Sequence, residues 1–235
     1  MPPPIPDDMP TVASKPHRSL WEAALVGHHE ALAQLAERTA PAVYAWLRAN
    51  GSAPEEALPR TEHFFARVLT IEPPNPDEED VERLQDFLLR RLTVYVEAGL
   101  PDTDAEHLKS RPVFDSAQAE RRYLREAQRG PDDVFTRRWA LGALELTIEA
   151  LREEFANDGK ASLVPHLQQF LSFSGGEERY AEVATQTGTS VSALHVAVYR
   201  YRQRYREILR RIIGDTVRKE EDVDSELTKL LVSAS

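Results

Sequence analysis

Cysteine is absent from the 235 residues, which excludes disulfides, thiolate catalysis and the usual structural zinc sites in one step. No run of about 18 uncharged apolar residues occurs, so no segment reads as a membrane span. The proline-rich start, residues 1–18, has neither the basic opening nor the apolar stretch of a secretory signal and reads as a disordered lead-in. Seven histidines are present, but His28 and His29 are adjacent, the others are scattered, and no His-Glu-x-x-His spacing exists to hold a metal. Gly175-Gly176 lacks the lysine and hydroxyl residue of a phosphate loop. The carboxylate pairs Glu153-Glu154 and Glu177-Glu178 are neighbours on helices and do not face each other. No catalytic constellation, metal site or cofactor motif emerges, so the expectation is a cytoplasmic protein that is not an enzyme.

What is present is helix-forming sequence with unevenly placed charge. With 41% hydrophobic and 29% charged residues, the chain can bury a core and is long enough for two small units. The net charge of −10 would oppose nucleic acid if it were evenly spread. Acid gathers in residues 53–106, however, while Arg200, Arg202, Arg204, Arg206, Arg210 and Arg211 crowd one C-terminal stretch. Such a chain can offer a basic face to DNA and an acidic one to another partner, or fold the second over the first as a mask.

Strand alternation is absent and the expected class is all-α. Ser19-Leu-Trp-Glu22 has the spacing of a capping box. Leu32, Leu35, Ala36, Val43, Tyr44 and Leu47 then recur at helical steps to Asn50-Gly51, with Pro41 as a kink. Helices follow at about 60–69 and 80–98, separated by a loop of prolines and acids at 72–80. Residues 101–131 are bracketed by Gly-Leu-Pro-Asp and Arg-Gly-Pro-Asp-Asp and read as a linker with a short helix. A long helix at about 133–157 carries the stripe Leu141, Leu144, Ile148, Leu151 and Phe155. Helices at about 162–173, 178–186, 191–214 and 222–232 complete the chain.

The stretch 177–212 has the pattern of a helix-turn-helix. Ala184 is small enough for two helices to cross closely, Gly188 can take the positive φ of a tight turn, and Leu194 anchors the second helix to the first. Ser190 caps that second helix. Ser190, Ser192, Ala193, His195, Val196 and Tyr199 would then meet base edges, with Arg200, Arg202 and Arg204 near phosphates. An ordinary helical hairpin with a solvated arginine face is the alternative. Tyr201, Tyr205 and Ile208 fall on the side of Leu194 and Val198 and read as core.

The motifs Arg137-Arg-Trp-Ala-Leu141, Tyr180-Ala-Glu-Val-Ala184 and Val196-Ala-Val-Tyr-Arg-Tyr-Arg-Gln-Arg-Tyr-Arg206 together resemble sigma region 4 of the extracytoplasmic-function (ECF) sigma factors, over most of 130–232. Ala31-Leu-Ala-Gln-Leu35, Val43-Tyr-Ala-Trp-Leu-Arg48 and Thr61-Glu-His-Phe-Phe-Ala-Arg67 resemble region 2 of the same family. The resemblance implies a region 2-like helical domain at 19–100, a linker at 101–131 and a region 4-like helix-turn-helix domain at 132–235. It also implies a partner, core RNA polymerase, contacted through Glu55, Glu56, Thr61, Glu62 and Phe65, and promoter DNA read at its −35 element. An anti-sigma factor or a serine/threonine kinase would be further partners.

The chain departs from that pattern at two places. Pro59 stands where an acid is usual and removes a helical hydrogen bond. The helix ending near Leu100 runs into Pro-Asp-Thr-Asp-Ala-Glu106 instead of a basic extension, and such a surface repels phosphates. Resemblance to family members lacking the acidic patch implies phosphorylation of Thr61, which would add about −1.5 to −2 charge there; the alternative is a plain solvent-facing threonine. Three functions are therefore open: an ECF-like sigma factor, a degenerate sigma-like regulator that does not melt promoters, and a helix-turn-helix regulator whose N-terminal helices serve oligomerisation.

Overall fold

In the computed structural model, residues 19–70, 74–77, 82–99, 112–171 and 176–234 are described. The lead-in 1–18, much of the loop at 72–80 and most of the first half of the expected linker lie outside them. Among the described residues the regular elements are helical, apart from one isolated bridge between Arg83 and Val217. The protein is all-α.

Local chemistry accounts for several helix starts. Ser19 accepts from the Glu22 amide at 3.0 Å and starts α1 (Leu20–Leu25). α2 (His29–Ala49) passes through Pro41 as one element. α3 (Pro54–Thr70) begins earlier than its apolar stripe suggests, because Pro54 suits a first helical position and the Glu56 carboxylate accepts from the Ala53 amide. Pro59 is held inside it. α4 (Leu84–Glu97) follows, and α5 (Ser116–Leu124), capped by Asp115, is the short helix expected within 101–131. α6 (Pro131–Asn157) is the long helix. α7 (Val164–Gln168) is shorter than its pattern implied and is preceded by a 3-10 turn. α8 (Glu177–Thr187), α9 (Val191–Gly214) and α10 (Val223–Ala234) complete the order.

Two apolar clusters share α6. The first gathers Trp21, Leu35, Val43, Leu47, Phe64, Phe65, Phe87 and Leu92 with Phe135 and Trp139 from the start of α6. The second gathers Ala140, Ala143 and Leu151 of α6 with Phe170, Tyr180, Leu194, Val198, Tyr201, Ile208, Ile213 and Leu230. Neighbours Trp139 and Ala140 thus face different clusters, since successive residues turn by about 100°. This explains why the buried set of α6 runs through Val134, Phe135, Trp139, Ala140, Ala143, Thr147 and Leu151. Of the expected single stripe only Leu151 is buried; Leu141, Leu144, Ile148 and Phe155 are half-buried. α6 packs against α2 as well as against α9 and α10, so one face could not hold all its buried residues.

The connection from α9 to α10 binds the two halves. The amide of Trp21 donates to the Asp215 carbonyl, that of Leu84 to Thr216, and that of Arg218 to Glu82, each at 2.9 Å. The Ser19 hydroxyl donates to the Val217 carbonyl at 2.8 Å. Trp21 and Leu84 lie in the first turns of α1 and α4, where amides lack partners within their own helices. The C-terminal connection therefore caps two N-terminal helices. The ion pair Arg38–Asp215 at 3.0 Å reinforces the join, and Arg83 approaches Glu226 at 3.4 Å across it.

Candidate nucleic-acid interface

The turn between α8 and α9 is built as its sequence pattern requires. Gly188 takes φ +65° and ψ +26°, a left-handed conformation that suits glycine. The amide of Thr189 closes the turn on the Ala184 carbonyl at 3.0 Å. Ser190 then accepts from the Ala193 amide at 3.1 Å and starts α9. Tyr180, Val183 and Ala184 of α8 are buried in one cluster with Leu194 and Val198 of α9. The His195 ring stacks on that of Tyr180 with centroids 3.8 Å apart and planes 13° from parallel, and its Nε2 is 3.5 Å from Glu177 Oε1. This stack joins the first turn of α8 to the second turn of α9.

Outward from this pair, Ser192, Ala193, Val196, Tyr199 and Arg200 are exposed, Tyr199 at 67% and Val196 at 48%. Among the described residues the main neighbours of α9 are α6, α7, α8 and α10, none of them from the N-terminal half. Tyr201 and Ile208 are buried and Tyr205 is packed against the same cluster; burial pushes both phenols up.

Two of the arginines expected near phosphates are engaged by groups of the protein itself instead. Arg202 donates from Nε and Nη2 to the Phe170 carbonyl at 2.9 and 2.7 Å. Arg204 donates from Nε and Nη2 to the two oxygens of Glu154, each at 2.7 Å, and from Nη1 to Glu207 at 2.8 Å. These bonds hold the Glu154 carboxyl below its usual range and keep the Arg204 guanidinium more firmly protonated. Both side chains lean back over α9 toward α6 and α7, away from the outward face. Arg200 and Arg206 make no hydrogen bond or ion pair among the described residues. Arg206 and Gln203, also exposed, are missing from the face read from sequence; continuing the helical step from Ser192 through Val196 and Tyr199 would have found Gln203.

The residues expected to meet a polymerase divide sharply. Glu55 and Glu56 are exposed on the first turn of α3, Glu56 pairing with Arg60 at 2.9 Å, and Glu62 is half-buried. Phe65 is buried in the first cluster against Phe64 and offers no surface to a partner. Thr61 has no accessible surface, and its hydroxyl donates to the Ala57 carbonyl at 2.7 Å. It is neither a site a kinase can reach in this fold nor a solvent-facing residue. Thr61 lies one turn from Ala57, Phe64 and Phe65, on the inward face of α3.

Among the described residues no group of three or more metal-ligating side chains is close enough to hold an ion, and no helix is long and apolar enough to cross a membrane. A groove of about 470 Å³ runs between α2, α5 and α6 over Pro41, Ala42, Ala119 and Gly142. Its rim is made of ion pairs such as Arg122–Glu145 at 2.8 Å. No protein-family model, curated protein or solved structure matches the chain.

Proposed function

We propose that the protein is a sigma-like transcription protein of the cytoplasm that binds DNA through a helix-turn-helix formed by α8 and α9. The observation that carries this reading is the tight turn at Gly188 followed by a capped helix whose first turns are exposed. A recognition helix needs that combination: anchored on one side by Leu194 and Val198, open on the other to enter a major groove. Core RNA polymerase is the partner the sequence resemblance implies, with the exposed first turn of α3, Glu55 and Glu56, as the contact that remains available. An anti-sigma factor would be a further partner.

Of the open functions, the degenerate one is favoured by a specific observation. The bonds from 215–218 to Ser19, Trp21, Glu82 and Leu84 tie the helix-turn-helix to the N-terminal half, which limits independent movement of the two parts on a promoter. With Pro59 in α3 and no basic extension after α4, the chain is better suited to holding DNA and polymerase than to opening a duplex.

The test is co-purification of the full chain with core RNA polymerase, followed by transcription in vitro from a library of promoter fragments. Polymerase binding with initiation supports an active sigma factor. Binding without initiation supports the degenerate regulator. DNA binding with no polymerase binding leaves a simple helix-turn-helix regulator.

A further inference from the structure

The outward face of α9 has an unusual distribution of chemistry along its length. With about 100° of turn per residue, Ser192, Val196, Tyr199 and Gln203 fall along one line, within about 60° of arc. Arg200 and Arg206 lie about 60° to either side of Gln203, and neither is paired among the described residues. Two free cations flanking an exposed row are placed to meet the phosphates on both walls of a groove.

The first two turns of the row are the part that reaches base edges in a recognition helix. They contain no arginine, lysine, asparagine or glutamine, the side chains that read purines with two hydrogen bonds. The ring of His195 is stacked on Tyr180 and faces Glu177, so it is turned toward α8. What remains at the tip is the Ser192 hydroxyl and the methyl groups of Ala193 and Val196, all exposed. In the major groove the base feature that apolar side chains recognise is the thymine C5-methyl.

We infer that Ala193 and Val196 read thymine methyl groups, so that sequence preference at the centre of the site depends on methyl contact and not on bidentate hydrogen bonding. The inference rests on the DNA-binding reading above and adds the base that is read and the side chains that read it. Hydrogen-bonded readout is left to Gln203, one turn beyond Tyr199 on the same row.

The experiment uses the full chain and a pool of random-sequence DNA duplexes at low salt. Retained duplexes are sequenced, and the best one is remade with each thymine replaced in turn by deoxyuridine, which lacks only the methyl group. Thymines are expected in the selected site, and at one or two of them the replacement should weaken binding about fourfold, the effect of exposing one methyl-sized apolar group. Val196→Ala, a change at an exposed position that leaves the core intact, should shrink that ratio toward one. Equal binding of thymine and uracil duplexes, or an unchanged ratio in the variant, overturns the inference while DNA binding stands. Retention of no duplex overturns the DNA-binding reading and this inference with it.

Discussion

Arg204 of α9 and Glu154 of α6 are joined by two parallel hydrogen bonds, each 2.7 Å long, and this pair fastens the middle of α9 to α6. Glu154 is held below its ordinary value of 4.5, first by the hydrogen bonds from Arg204. A carboxyl whose folded value is depressed adds stability above its unfolded value, and that stability is lost as pH falls through the folded value. Glu154→Gln should therefore melt below the wild type at neutral pH, with the two melting curves converging in acid. A gap that persists to about pH 2 would assign the effect to something other than this ionisation.

Arg200 and Arg206 should behave differently from Arg202 and Arg204. Replacing either free arginine by alanine is expected to reduce the slope of log binding constant against log salt by about one, with an unchanged melting temperature. Arg202→Ala and Arg204→Ala should lower the melting temperature and leave the slope alone. Titrations of one duplex at several salt concentrations, paired with thermal melts, separate the classes; a slope change in Arg204→Ala equal to that in Arg200→Ala would contradict the assignment.

Glu226 is buried near Arg83 Nε, at 3.4 Å, yet its Oε2 accepts no hydrogen bond. Burial pushes its carboxyl up from 4.5, against the opposing pull of Arg83. The sign is opposite to that of Glu154: ionising Glu226 is harder in the folded protein, so stability falls as pH rises from the unfolded value through the folded one. Glu226→Gln should flatten this fall and raise the melting temperature at pH 8 by about 2–4 °C for each kcal/mol recovered. Melts of both proteins at pH 5 and pH 8 check it, and a variant less stable at pH 8 would show that the Arg83 ion pair outweighs burial.

Thr61 has no accessible surface, and its hydroxyl bonds within its own helix. Thr61→Val keeps the shape and gives up one modest hydrogen bond, a cost of about 1 kcal/mol. Thr61→Glu forces a carboxylate among apolar side chains, at a cost on the order of 3 kcal/mol or more. Circular dichroism melts should therefore rank wild type, Val variant and Glu variant in that order with a wide last gap. A Glu variant as stable as the wild type would mean that the side chain reaches solvent and that the burial assigned here is wrong.

Much of the helical framework was legible without coordinates because its causes are local. Capping at Ser19 and Ser190, the left-handed Gly188 and the recurring apolar residues of α2 and α9 each act within a few positions of the chain. The candidate face was legible for the same reason as far as Arg200: exposure repeats with the helical period once Leu194 and Val198 are taken as inward.

Which arginines are free was not legible, because the partners of Arg202 and Arg204 lie on α6, on the chain segment after α7, and only in part on α9 itself. Thr61 looked accessible because nothing near it in sequence reveals how completely the fold closes over α3. The double role of α6 was hidden too, since its apolar stripe over 141–155 marks only one of the two sides that pack. By itself the sequence determined that the chain is helical and where capped starts and the Gly188 turn fall, because backbone dihedrals and capping answer to neighbouring residues. Only the tertiary structure decided which charges stay available and which residues are sealed inside, because burial and ion pairing depend on segments brought together from opposite ends of the chain.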